Sequence, residues 1–254
     1  MVYTPSAQNL VSALRTQPLP PAYRRGTPVY DRQEPGQIAR TLFQRNDGSI
    51  EEARHILPAM PVFTAAFSAF ARGTLIATTR GPVAVEDLQP GIKVLTNERG
   101  PSPLLWIGSM SLRPAPTPGG PARLTRIMTG ALGMGRPMVD LMTGPGARIA
   151  QRGTARPDHV LRPVHDLIDG NSVIAITPPG TVDLYHIALH RHATITAAGL
   201  TVETYHPGPG FEAGLNHQQL AQFLALFPHI RRPADFGSLA HPRSAFGQPN
   251  RQMA

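Results

Sequence analysis

Residues 70–96 read FARGTLIATTRGPVAVEDLQPGIKVLT, and the alternation of short apolar runs with turn residues in them sets the expected fold class. Thr74–Thr78, Val83–Val85 and Val94–Thr96 are short runs rich in β-branched and apolar residues, the composition of strands. Arg80-Gly81-Pro82 and Gln89-Pro90-Gly91 separate them with residues that favour turns. Gly73 allows a tight entry to the first run, and Arg80-Gly81 turns a hairpin. Outward from this stretch the pattern continues at Leu104–Ile107, Leu124–Met128, Arg148–Ala150, Ser172–Ile176, Val182–Leu189 and Ala193–Thr196. Turn signals punctuate it at Asn97–Gly100, Asp169–Asn171 and Pro178–Gly180. The expected fold class is all-β, built from many short strands.

Composition agrees. In 254 residues, Gly (24) and Pro (28) make up about a fifth of the chain, which disfavours a helical bundle. Hydrophobic residues reach 41% against 16% charged, enough for a buried core. The chain has no cysteine, which removes disulfides, thiolate metal sites, iron–sulfur clusters and a cysteine nucleophile. The formal net charge is +8, nearly all from arginine, with Lys93 the single lysine. The arginines are scattered, so no specific nucleic-acid interface is expected. No apolar run approaches the ~20 residues of a membrane helix, and no hydrophobic leader is visible. The expected compartment is the cytoplasm, with export by a signal-less route left open.

Three regions differ in texture. Residues 1–60 are polar and proline-punctuated and read as a flexible N-terminal arm, with short helices predicted at 6–15 and 36–44. Residues 61–210 carry the strand pattern, with a low-complexity loop at Pro114–Pro121 (PAPTPGGP). Residues 211–254 form a tail. Within it Leu220, Phe223, Leu224 and Phe227 make the apolar stripe of one short amphipathic helix, with Asn216 as cap and Pro228 as stop. The Pro- and Arg-rich stretch after Pro228 is expected to fray.

The 70–96 stretch resembles the opening of the Hint module shared by hedgehog autoprocessing domains and inteins, most nearly its bacterial form in alphaproteobacterial proteins. The residues that carry the resemblance are Gly73-Thr74, Glu86-Asp87-Leu88 and Pro90-Gly91, followed by Trp106-Ile107-Gly108 and Asp140-Leu141. Tyr185-His186-Ile187-Ala188-Leu189, Arg191-His192, Ala198-Gly199-Leu200 and Glu203-Thr204 complete it. The blocks run in order over roughly residues 62–208 and imply a Hint-like β module.

The resemblance also implies a chemistry, which the residues contradict. A working Hint module carries a cysteine or serine four residues before the glycine of the Gly-Thr pair; it attacks the preceding carbonyl in an N-to-S or N-to-O acyl shift. Here that position is Ala69. The family's Ser/Thr-x-x-His block aligns with Gly144-Pro145-Gly146-Ala147, so Gly144 and Ala147 replace both polar members. A later histidine is kept as His192, and Glu203-Thr204 stands where splicing inteins have His-Asn. Loss of groups that act as a unit removes nearly all activity. The chain is therefore expected to be a pseudo-enzyme of the autoprocessing Hint family, acting as a scaffold or interaction module for an unidentified protein partner, with no cofactor.

Two alternatives come from the residues themselves. Ser68, beside the empty position, could sustain residual autoproteolysis near residues 67–69; on an extended strand its side chain would face away from the old site. On an uninterrupted strand His186, His190 and His192 share one face, which suits imidazole ligation of a metal, whereas the turn that the resemblance implies near His190-Arg191 would break that face. Gly130–Gly135 is glycine-rich but lacks the context of a phosphate loop and reads as a turn.

Overall fold

The computed structural model describes residues 37–113, 124–153 and 159–244. Most of residues 1–60, the loop at Pro114–Pro121 and the chain end from 245 lie outside that description, as does the helix expected at 6–15. The described chain is all-β apart from two short helices and four 3-10 turns. In chain order the strands are β1 (Gln37–Gln44), β2 (Ile50–Leu57), β3 (Phe70–Ala71), β4 (Leu75–Thr78), β5 (Gly81–Ala84), β6 (Lys93–Thr96) and β7 (Gly100–Leu112). They continue as β8 (Leu124–Ile127), β9 (Leu141–Thr143), β10 (Arg148–Arg152), β11 (His159–Pro163), β12 (Val173–Ile176), β13 (Val182–Leu189), β14 (Thr194–Ala197) and β15 (Leu200–Glu203). Helix α1 (Pro61–Ala65) precedes β3, and α2 (His217–Leu224) follows β15.

All pairings between these strands are antiparallel, in the order β11-β10-β15-β14-β4-β6-β7-β13-β3-β9-β8-β12. The long strand β7 is the hinge of the arrangement. Its start pairs with β6 (Lys93↔Pro103 to Thr96↔Gly100), and its remainder pairs with β13 (Val182↔Leu112 to Ile187↔Ile107). One hydrophobic cluster gathers Ile76, Val94, Leu104, Ile149, Ile187, Ile195 and Val202. A second is aromatic and gathers Phe63, Phe67, Trp106, Tyr205, Phe223 and Phe227. Trp106 joins the sheet to the tail: its Nε1–H donates to the Leu226 carbonyl at 2.8 Å, and its ring lies 4.7 Å from that of Phe227.

The 70–96 stretch folds as its sequence indicates. Gly73 sits at φ +85°, a conformation that costs a side-chain-bearing residue energy. Glu86, in the 3-10 turn Val85–Asp87, accepts the Gly73 N–H at 2.8 Å and so fastens the turn. Leu88 and Pro90 are buried, and Asp87 faces solvent. Ala198-Gly199 forms the two-residue turn between β14 and β15, both at positive φ (48° and 82°), as a hairpin of this kind requires. Asp140 accepts the Thr129 N–H and hydroxyl and pairs with Arg126. These motif residues are structural fasteners. Helix α2 carries its expected cap: Asn216 and Gln219 exchange hydrogen bonds with each other's backbone N–H.

Two expectations fail. The spacing of Ile38 and Leu42, four apart, predicts a helix over residues 36–44; instead β1 pairs with β2 and with β7 (Ala39↔Met110 to Phe43↔Trp106). A spacing of four is even and fits a strand equally well, and the buried face is Ala39, Thr41 and Phe43 at period two. Residues 37–57 thus belong to the sheet rather than to a polar arm ending at residue 60. Nor does the described tail beyond Pro228 fray. Ile230 is buried, and Leu161 N–H donates to the Pro242 carbonyl at 2.8 Å while Ser244 N–H donates to the Leu161 carbonyl at 3.0 Å.

Gly108 on β7 tests this packing. A Cβ there would lie 2.3 Å from the Trp106 ring and 2.6 Å from the Phe67 ring, both fully buried. Gly108→Ala is expected to lower the free energy of unfolding by about 1–3 kcal/mol in urea denaturation, the usual cost of overpacking. An unchanged midpoint would show that the aromatic cluster is loose at this point.

Candidate functional site

The turn after α1 brings Ser68 and Ala69 against the loop between β9 and β10. Gly144 N–H donates to the Ala69 carbonyl at 3.0 Å, and Gly146 N–H donates to the Ser68 carbonyl at 2.9 Å. Ala69 N–H in turn donates to the Tyr185 carbonyl on β13 at 3.0 Å. Both glycines are needed for this approach. A Cβ on Gly144 would meet the Ser68 carbonyl oxygen at 2.3 Å, and one on Gly146 would meet the Ala65 carbonyl oxygen at 2.5 Å. The structure therefore brings Ala69, Gly144 and Ala147 into one neighbourhood, where they supply methyl groups and backbone but no side chain able to act as nucleophile or base. Ala69 and Ala147 are 1% and 4% exposed, members of the core.

Beside this contact lies a cleft of about 320 Å³, with α1 on one wall and Arg148, His165, His186, Tyr205 and His206 among its lining. His186, on β13, donates from Nδ1 to the Ala65 carbonyl at 3.1 Å, and its ring packs edge-on to Phe70 and Tyr205. Burial pushes its pKa down to about 4, so the ring is neutral near pH 7. Its Nε2 is then a lone-pair acceptor, buried and without a partner among the described residues. His206 is also neutral. Burial brings its pKa down to about 4, while Nδ1 accepts the Gly208 N–H at 2.9 Å and Nε2–H donates to the Gly237 carbonyl at 3.1 Å.

Behind the cleft, Glu203 is a buried carboxylate (2% exposed) at the end of β15. Arg243 donates Nε to its Oε1 at 3.0 Å, and the Arg148 guanidinium lies 3.7 Å from Oε2. His192 Nε2 approaches Oε1 to 3.0 Å but is poorly aligned as a hydrogen bond; its Nδ1 accepts the Ala240 N–H at 2.8 Å. Burial works to raise the Glu203 pKa, but the His192 contact and the two guanidiniums outweigh it and hold the carboxyl below the usual range. The tail segment 240–244 thus delivers a guanidinium to a charge that could not otherwise stay buried.

The site residues expected from sequence divide between these features. Ser68 does not lie on a strand, so the alternation that would turn it away does not apply. Its Oγ lies 3.1 Å from where a Gly146 Cβ would be, faces the 144–147 loop, and is buried without a hydrogen-bond partner. The imidazole bound to the backbone of the 65–69 turn belongs to His186, while His192 is engaged with Glu203 and the tail. The histidine metal alternative loses its geometry. Strand β13 ends at Leu189, His190 is exposed beyond it, and His186 and His192 have separate partners. Among the described residues no group of three His, Asp or Glu is placed to hold a metal ion.

Arg148, His206 and Arg243 were missed. Arg148 stands in a stretch, Arg148-Ile149, that matches the family, but carries no role there, and His206 follows shortly after Glu203-Thr204; nothing in the sequence pairs Arg243 with Glu203, forty residues earlier. Among the described residues no helix is long and apolar enough to cross a membrane.

A family model described as the Hint domain matches residues 68–209, more than half of the chain. A search of curated proteins gives no match. Among solved structures, the bacterial intein-like domain from Clostridium thermocellum aligns at 15% identity and a TM-score of 0.37, over 54% of this chain and 98% of that one. A DnaB intein from Synechocystis sp. PCC 6803 aligns at 13% identity and 0.34, over 55% of this chain and 99% of that one.

The buried histidines set a pH dependence. His186, His206 and His229 each fall to about 4 on burial from an ordinary value of 6.5, so between these values the unfolded chain binds about one more proton per ring. Their contribution is full above about pH 6.5 and is lost as the pH falls towards 4. Urea midpoints are expected to drop steadily between pH 7 and pH 5, before the carboxylates titrate; equal midpoints would contradict the neutral buried rings.

Proposed function

The chain belongs to the Hint-domain family, and we propose that within it this protein has lost self-processing and serves as a scaffold or interaction module. The observation that carries this reading is the packing of Gly144 and Gly146 on the Ser68–Ala69 backbone. The positions of nucleophile, hydroxyl and imidazole hold a buried methyl, a glycine and a second methyl, and Gly144 has no room for a side chain. An acyl shift needs a nucleophile, a means to activate it, and a proton for the leaving amine. At Ala69 the first is missing, and at Ala147 so is one source of the others.

An interaction role draws support from the surface. Ile38 and Ile56 are cross-strand partners on β1 and β2 and are 64% and 78% exposed. On the loop before β9, Met134, Met138 and Val139 are 94%, 67% and 56% exposed. Methionine side chains adapt to varied partners. The partner in this reading is a protein, with no specific nucleic acid or membrane span involved and the cytoplasm as the default compartment.

A second reading, residual self-cleavage near residues 67–69, draws on one observation: Ser68 Oγ is buried and unpartnered beside the 144–147 loop. One experiment separates the two. The purified full chain is held for days from mildly acidic to mildly alkaline pH, with and without dithiothreitol or hydroxylamine, and its intact mass is followed. A single species of full-length mass is expected. A pair of fragments that meet at residues 67–69 would overturn the pseudo-enzyme reading and turn attention to Ser68.

A further inference from the structure

The cleft beside the 65–69 turn is lined by polar groups whose hydrogen-bonding capacity the fold does not exhaust. Arg148 lines it, its side chain 21% exposed, and its guanidinium makes no hydrogen bond among the described residues. The nearest carboxylate, Glu203, lies 3.7 Å away and already receives Arg243 and His192. Asp166, the other acidic group close enough to act on Arg148, faces His165 Nε2 at 3.3 Å. A planar fork of donors on a cleft wall is suited to a planar carboxylate. On the same cleft, His186 is 3% exposed and its Nε2 is an unpartnered acceptor, since Nδ1–H is committed to Ala65. An acceptor buried in this way is destabilising until a donor meets it. Pro61, Val62, Pro145 and Pro207 supply apolar walls.

We propose that this cleft binds a small organic carboxylate with an apolar body and a hydroxyl or N–H donor, the carboxylate on Arg148 and the donor on His186 Nε2. Loss of the nucleophile does not diminish such a site, because neither Arg148 nor His186 depends on the residue at 69. The proposal is independent of whether the chain cleaves itself. A full-length chain that binds nothing sinks only the ligand site, and a cleaved chain that binds sinks only the pseudo-enzyme reading.

The test uses the full chain and three probes: 2-hydroxyisocaproate, its primary amide, and isocaproate, which lacks the hydroxyl. Binding is followed by NMR on the histidine ring signals, with His186 assigned through His186→Asn. Saturable movement of the His186 signal by 2-hydroxyisocaproate is expected. The amide should bind at least about tenfold more weakly, which corresponds to about 1.4 kcal/mol, and isocaproate should fall between them. Arg148→Met, checked for folding by circular dichroism, should abolish the response. If that variant does not fold, the carboxylate–amide comparison in the unaltered chain decides. Equal binding of amide and carboxylate, or no movement of His186 with any probe, overturns the proposal.

Discussion

Everything at the candidate site follows from one close backbone contact. Two N–H groups, from Gly144 and Gly146, reach the carbonyls of Ala69 and Ser68, and they can do so only because neither glycine carries a Cβ. Each hydrogen bond contributes only about 1 kcal/mol net, but leaving the buried groups unpaired would cost more. The contact joins the end of α1 to the loop between β9 and β10. It also sets the turn whose Ala65 carbonyl holds the His186 ring. The geometry that seals the site is thus the geometry that shapes the cleft beside it.

The second constraint is electrostatic. Glu203 is buried at the end of β15, and a lone buried carboxylate would cost several kcal/mol. Arg243, His192 and Arg148 share the task of compensating it, and Arg243 comes from the tail, where it also donates to the His206 carbonyl. This gives the described tail a role that its proline-rich composition conceals. Because Arg243 and His192 face Glu203 most closely, Arg148 stands back at 3.7 Å from it and keeps hydrogen-bond donors for the cleft. Charge pairing within the fold decides which guanidinium is available to anything outside it.

The strand pattern was legible where turns were sharp and runs were apolar. The β4–β6 stretch stood out, β13 fell at its expected residues, and the α2 cap was visible in Asn216. The first hairpin was not, because Ile38 and Leu42 at a spacing of four fit helix and strand alike, and the face they share is the more exposed one. The alanines and glycine at the aligned positions, Ala69, Gly144 and Ala147, were legible in the sequence itself. The orientation of Ser68 was not, since it depends on a turn after α1 that no local signal announces. The link from Glu203 to Arg243 and the choice of His186 over His192 at the 65–69 turn are long-range facts of packing.

The most direct measurement is amide hydrogen exchange at Gly144 and Gly146 in the full chain. If the contact between the 65–69 turn and the 144–147 loop is sealed within the core, both N–H groups should exchange as slowly as the central amides of β7 and β13, through near-global unfolding. Exchange at rates typical of open loops would contradict this. It would mean that the 65–69 turn and the 144–147 loop separate readily, and that the site remains accessible.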